Sequence, residues 1–178
     1  MGASSWYYFV PYQEDVSHAL QNLRQQVFEE GDYLSLWEQT RSMIEAGRDA
    51  YHLFHQGQDY DTVERRFRAL EDEWERGPKQ PPQTIEELLK RNDAQGTHTI
   101  LDITRVSSVP AFGAMTSLEK QVMLRLFGTD RPTREMIEAM IAGSTLWATL
   151  QRGWSARYCI VYRNAVPHEL FFFGISGD

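Results

Sequence analysis

Arg157-Tyr158-Cys159-Ile160-Val161-Tyr162, a break at Arg163-Asn164-Ala165-Val166-Pro167, and then Glu169-Leu170-Phe171-Phe172-Phe173 form the stretch that decides the fold. Two short runs of aromatic and β-branched residues, joined by a polar turn containing Asn and Pro, predict a β-hairpin. Tyr158, Ile160 and Tyr162 fall on one face of the first strand, Cys159 and Val161 on the other. Phe171 and Phe173 alternate with Leu170 and Phe172 in the same way. Strands apolar on both faces need cover on both faces, so the hairpin is expected in the middle of a sheet.

At the other end of the chain, Trp6-Tyr7-Tyr8-Phe9-Val10 has the same two-faced character and is stopped by Pro11, which predicts a further strand of that sheet. The period then changes. Val16, Leu20, Leu23 and Val27 make one stripe on a helix that ends at Gly31. Thr97-His98-Thr99-Ile100-Leu101-Asp102-Ile103 predicts a strand through its β-branched residues and near-alternation. Val106 to Met115, with Pro110 and Gly113, is expected as a loop or short edge strand. Thr116 with Glu119 predicts the start of a helix carrying Leu118, Val122 and Leu126, closed at Gly128. Pro132-Thr133 opens another with Met136, Ile137, Met140 and Ile141 turned inward. Leu146, Trp147 and Leu150 suggest a last short helix before the hairpin.

Between these parts, about 33–82 has a different texture. Asp61 with Glu64 resembles a capping box for a helix striped by Val63, Phe67, Leu70 and Trp74, and Gly77-Pro78-Lys79-Gln80-Pro81-Pro82 resembles an extended linker. Thr84 and Glu87 form another capping box, with Ile85, Leu88 and Leu89 on the apolar side of the helix it opens. The expected architecture is one α+β domain over 1–178: a small, mainly antiparallel sheet of about four strands packed with helices, plus a helical insertion at about 33–82.

The residues Trp6 to Tyr12, Gly96 to Ile103, Leu126-Phe127-Gly128-Thr129 with Pro132-Thr133-Arg134, and Glu169 to Gly174 resemble a family of uncharacterised bacterial proteins. The likeness spans both ends and the middle of the chain, and 33–82 is longer here than in those relatives. The resemblance implies a bacterial source and a shared fold, and carries over no site.

Composition narrows the function. With 178 residues, 42% hydrophobic and 24% charged, the chain has the make-up of an ordinary globular protein. Its net charge of −7 disfavours nucleic acid, whose phosphates demand a positive face. The densest basic run, Arg65-Arg66-Phe67-Arg68, is surrounded by Glu64, Glu71, Asp72 and Glu73. The single cysteine, Cys159, rules out an intrachain disulfide and reads as a small core residue. No apolar run approaches the ~20 residues of a membrane span and no signal peptide is evident, so a cytoplasmic location without membrane contact is expected.

No phosphate-binding Gly-rich loop, dinucleotide fingerprint, nucleophile elbow or His-Glu-x-x-His motif occurs, so no cofactor is expected. His52 and His55, with Asp49 or Asp59, could approach one metal ion, but a stable zinc site asks for three or four ligands, and a solvated role is the reading taken. Asp102 is more pointed. A carboxylate in an apolar strand needs a partner or a raised pKa, and His168 beside the hairpin turn is the candidate to join it as a catalytic pair. Thr129, Arg131, Thr133 and Arg134 gather hydroxyls, guanidinium groups and free helix amides, a combination that can hold an anion. The function expected from the whole is a non-enzymatic binding or protein-interaction module that regulates or neutralises a partner, the partner being another protein or a second copy in a homodimer. The alternative is a small hydrolase or transferase acting on an anionic substrate.

Overall fold

The computed structural model describes residues 4–35, 42–48, 60–76, 80–92, 96–150 and 154–176, and the chain divides into two compact units, Met1–Tyr33 with Asp93–Asp178, and Leu34–Asn92. The first unit holds a five-stranded mixed sheet in the order β1-β5-β4-β3-β2. Its strands are β1 (Ser4–Pro11), β2 (Arg105–Val106), β3 (Ala114–Ser117), β4 (Ser155–Arg163) and β5 (Val166–Ser176). β5 pairs antiparallel with both β1 and β4, whereas β4 with β3 and β3 with β2 are parallel. The α+β class therefore holds, but the expected sheet of about four mainly antiparallel strands is corrected to five strands, partly parallel.

The hairpin of β4 and β5 turns on Asn164 and Ala165 alone, both at positive φ (52° and 62°), which is the backbone of a two-residue type I′ turn. Asn tolerates that region; Ala165 does so at a steric cost. Pro167 lies within β5 rather than in the turn. The register slips between Val161 and Tyr162, where Val161 faces Glu169 and Tyr162 faces Pro167, so His168 is the extra residue of a bulge. Pro167 has no N–H to give, and the bulge sits next to it.

The expected strand at Thr97–Ile103 is instead a buried loop ending in a 3-10 turn, Ile100–Asp102. Local hydrogen bonding explains the change. His98 sits at φ 59°, the Thr99 hydroxyl accepts from Leu101 N at 3.2 Å, and the Asp102 carboxylate accepts from Thr97 N at 2.8 Å. Such side-chain bonds offer the backbone an alternative to a sheet ladder. The next stretch, Val106 to Met115, expected as a loop or short edge strand, is a loop whose two ends enter short strands, β2 at the sheet edge and β3 beside it. Thr116, expected as a helix cap, belongs to β3.

Helices cover both faces. On one, Phe9, Cys159, Val161, Phe171 and Phe173 pack with Leu118, Val122, Leu126, Ile137, Met140 and Trp147. These residues come from α5 (Lys120–Phe127), α6 (Arg134–Ala142), the residue leading into α5, and a 3-10 turn at Leu146–Thr149. Met136, expected inside, is 41% exposed on α6. On the other face, α1 (Val16–Glu30) lies against the Ile100–Asp102 turn and β2, and that turn lies against β5. Asp15 caps α1 by accepting from His18 N, and Gly31 at φ 71° ends it. Phe171, Phe172 and Phe173 are all fully buried, so consecutive residues of β5 serve both layers; each such side chain contributes on the order of 1.5–3 kcal/mol.

In the second unit are α2 (42–48 as described), α3 (Tyr60–Arg76) and α4 (Ile85–Asn92). Arg48 of α2 pairs with Glu64 and Glu71 of α3. The Thr84 hydroxyl accepts from Glu87 N at 3.1 Å, and the Glu87 carboxylate accepts from Gln83 N at 2.8 Å, a reciprocal cap at the start of α4. Asn92 closes the unit on itself by donating to the Leu34 carbonyl at 2.7 Å.

Candidate functional site

Asp102 is only 5% exposed. Its Oδ1 takes the Thr97 N–H, and Oδ2 has no hydrogen-bond partner among the described residues. Burial pushes the carboxyl pKa up, and the Thr97 N–H, helped by the polar groups of Ser176 and Thr99 nearby, opposes that rise. The Ser176 hydroxyl lies beside the carboxyl, but it also accepts from Trp6 Nε1 at 2.9 Å and reaches the Thr99 carbonyl at 3.3 Å. A methyl group on Gly96 would meet the Trp154 indole and lie 3.0 Å from Asp102 Oδ1, so the carboxyl is roofed by backbone and an aromatic ring. The arrangement pins a buried loop.

His168 is far from it. Asp102 neighbours Ser176 at the end of β5, whereas His168 is the bulge residue at the beginning of that strand. Eight residues of extended chain separate those ends by roughly 27 Å. The structure does not bring the expected catalytic pair together.

The bulge builds a different feature. With the ladder interrupted, Tyr162 N donates to the Pro132 carbonyl at 2.8 Å, which ties the turn before α6 to the hairpin. Between them is a hollow of about 430 Å³, lined by Thr133, Arg134 and Glu135 on one side and by Tyr162, Arg163, Asn164, His168 and Glu169 on the other. The signs of its charges are mixed.

Of the four expected anion-binding residues, Thr133 and Arg134 line this hollow, while Thr129 and Arg131 do not. The Thr129 hydroxyl accepts from Arg131 N at 3.1 Å, and Arg131 sits 5.7 Å from the Tyr162 ring centroid. Arg134 is committed. Its guanidinium pairs with Glu138 at 2.9 Å and Glu169 at 2.8 Å and covers the Phe9 ring at 4.2 Å. Glu138, then Glu169, hold its pKa above the ordinary value. Thr133 likewise lowers the pKa of Glu135 by hydrogen bonding, so a carboxylate occupies the hydroxyl an anion would use. Of the four, Arg134 has its charge met by carboxylates and Thr133 is engaged by Glu135.

His52, His55, Asp49 and Asp59, as well as the side chain of Trp74, lie outside what the structure describes. Among the described residues, no group of three or more His, Cys, Asp and Glu side chains could hold a metal ion. Cys159 is 2% exposed, and burial pushes its thiol pKa up to about 12. No helix of the described residues is long and apolar enough to cross a membrane.

Two surface features escaped the sequence reading. The loop between β2 and β3 carries Val109 at 63% and Phe112 at 73% exposure, with the Phe112 ring 5.4 Å from Trp154. More extensive is the outer edge of β1. Every β1–β5 pair keeps one register without a bulge, and Tyr12 N donates to the His168 carbonyl at 3.0 Å as the next pair of that ladder. Antiparallel pairs alternate, so Val10, Tyr8, Trp6 and Ser4 bond inward to β5, and Ser5, Tyr7 and Phe9 aim both N–H and C=O outward. Among the described residues, no backbone bond meets those groups. Ser4 to Tyr12 contains no charged residue. That charge-free aromatic run was the available signal; its position at an edge was not.

No family model matches the chain, and no curated protein or solved structure matches it either.

Proposed function

We propose that the protein is a non-enzymatic protein-interaction module of the cytoplasm, and that it binds through the outer edge of β1. The observation that carries this reading is the edge itself: three outward donor–acceptor pairs in one unbroken register, uncharged along their length and unbonded among the described residues. Such an edge is a template for another extended chain, and soluble proteins ordinarily blunt it with Lys, a bulge or inward charge. Within 33–82 the Arg48–Glu64 and Arg48–Glu71 pairs take up charge internally, and that region adds no support to this reading.

The test is fluorescence anisotropy with a labelled peptide copying Ser4–Tyr12, beside the same peptide N-methylated at alternate residues. Saturable binding by the first and not the second is expected, since backbone N–H groups supply the contact. Binding that survives N-methylation assigns the contact elsewhere. A peptide that never binds, in a chain that stays monomeric, also overturns the reading.

A second reading, action on a small anionic substrate, draws support from the 430 Å³ hollow and from Arg163 and His168 on its wall. Inorganic phosphate or a phosphate ester should then perturb the NMR signals of the His168 ring, and Arg163→Ala should abolish that perturbation. Silence at millimolar ligand would dispose of it.

A further inference from the structure

We infer that the occupant of the β1 edge is a second copy of the same chain, joined by antiparallel β1–β1 pairing into a continuous sheet across a two-fold axis. The inference rests on the edge-binding reading above and names its partner. A strand pairing antiparallel with its own copy makes an isologous contact, in which residue i meets j and j meets i. The outward residues fix the register. Centred on Tyr7, Ser5 faces Phe9 of the other copy and Tyr7 faces Tyr7, and each of these pairs exchanges two hydrogen bonds. This alignment satisfies the outward groups of Ser5, Tyr7 and Phe9 together, each against another of the three; moving the centre to Tyr8 sets Ser5 opposite Pro11, which has no N–H to give. Pro11, which has no N–H, stands where the pairing runs out.

Side chains and charge agree with that centre. Tyr7 is 47% exposed, and its ring lies 6.3 Å from Phe9 and 6.2 Å from Phe171, so across the axis it would extend an existing aromatic row. A chain of net charge −7 repels its own copy over most approaches. Ser4–Tyr12 is a stripe along which two copies meet without placing like charges opposite one another. The strand also offers no charge by which to select a charged foreign peptide. The mutual repulsion of two chains of that net charge weakens with salt, so association should tighten as ionic strength rises.

The experiment is sedimentation velocity on the full chain at low and high salt, with substitutions at two exposed positions of β1. Tyr7→Lys puts a charge at the axis, and Ser5→Pro removes an outward N–H that makes no bond to β5. Circular dichroism and thermal melts confirm that both remain folded. A dimer is expected, tighter at high salt, and either substitution should raise its dissociation constant by at least about tenfold, because each acts in both copies and spoils backbone pairing or places charge at the axis. Tyr7→Cys should form an interchain disulfide under mild oxidation, and Pro11→Cys should not, because the chosen register sets the two copies of position 11 roughly 27 Å apart. A dimer that neither substitution weakens, or that cross-links at position 11 and not 7, overturns the inference. A monomer that still binds the Ser4–Tyr12 peptide overturns self-pairing and leaves the edge as a binding site for another chain. A monomer that binds no such peptide overturns both.

Discussion

Replacing Asp102 separates two things its carboxyl does, and they have opposite signs. Asp102→Ala removes the acceptor for the Thr97 N–H, and Thr97 is fully buried, so a donor is stranded at a cost of about 1–3 kcal/mol. The same substitution relieves the burial of a carboxyl whose Oδ2 is unpartnered, which offsets part of that cost. A net loss of about 1–2 kcal/mol is expected at neutral pH, or roughly 2–8 °C in melting temperature for a chain of this size. Asp102→Asn keeps the acceptor without the charge and should stay within about 1 kcal/mol of the wild type.

The pH dependence distinguishes the two effects. Burial raises the Asp102 pKa in the folded chain, so the native state holds the proton more tightly than the unfolded state. The wild type therefore has its full advantage below the ordinary carboxylate range and loses it as pH climbs through the raised value; the Asn variant does not follow. Urea unfolding at several pH values, monitored by tryptophan fluorescence, measures this difference. Trp154 packs beside Gly96, next to Asp102, and serves as a local reporter. An Ala variant as stable as the Asn variant would show that the Thr97 bond contributes nothing. A wild-type-to-Asn difference that is flat with pH would refute the burial argument.

Gly174→Ala should cost at least about 2 kcal/mol, because the added methyl would overlap the indole of Trp6, which is 6% exposed; the urea midpoint reads this out. Gly128→Ala, with nothing within 4 Å of the new methyl, should cost only the left-handed backbone penalty of about 1 kcal/mol. Ala165→Gly should stabilise the protein by about 1 kcal/mol in the same assay, since Ala165 holds φ 62° in the hairpin turn. Cys159 should resist a thiol reagent in the native protein and react at a rate that climbs with denaturant; rapid native labelling would contradict its burial and its pKa of about 12.

Much of the fold could be read where local and tertiary preferences agree. The α1 stripe of Leu20, Leu23 and Val27, its end at Gly31, and the two-faced hairpin of β4 and β5 all follow from periodicity and turn chemistry. Misreadings arose where short-range hydrogen bonds compete with those preferences. Thr97–Ile103 is β-branched enough to suggest a strand, but Thr99 and Asp102 recruit the backbone for themselves. β2 and β3 are two and four residues long, too short for alternation to declare them. The candidate site was harder still, because pairing Asp102 with His168 required knowing that the Asp102 turn lies beside the end of β5 and His168 near its beginning. A bulge at His168, invisible in composition, set one of those ends and created the hollow beside it.

The β1 edge shows a more general limit. Apolar residues on both faces of Trp6–Val10 report what lies above and below the strand. They carry no information about what lies to its left and right, because hydrogen-bonding groups point in the plane of the sheet and every residue has them. A central strand and a covered edge strand can thus share one composition. What differs is the defence: an edge that must stay single acquires Lys, Pro within its span or a bulge. β1 has none of these before Pro11, its last residue, and its register with β5 is regular throughout. The missing defence sets this strand apart from an ordinary edge, and it is the reason the proposed self-pairing is tested by a single substitution at Tyr7.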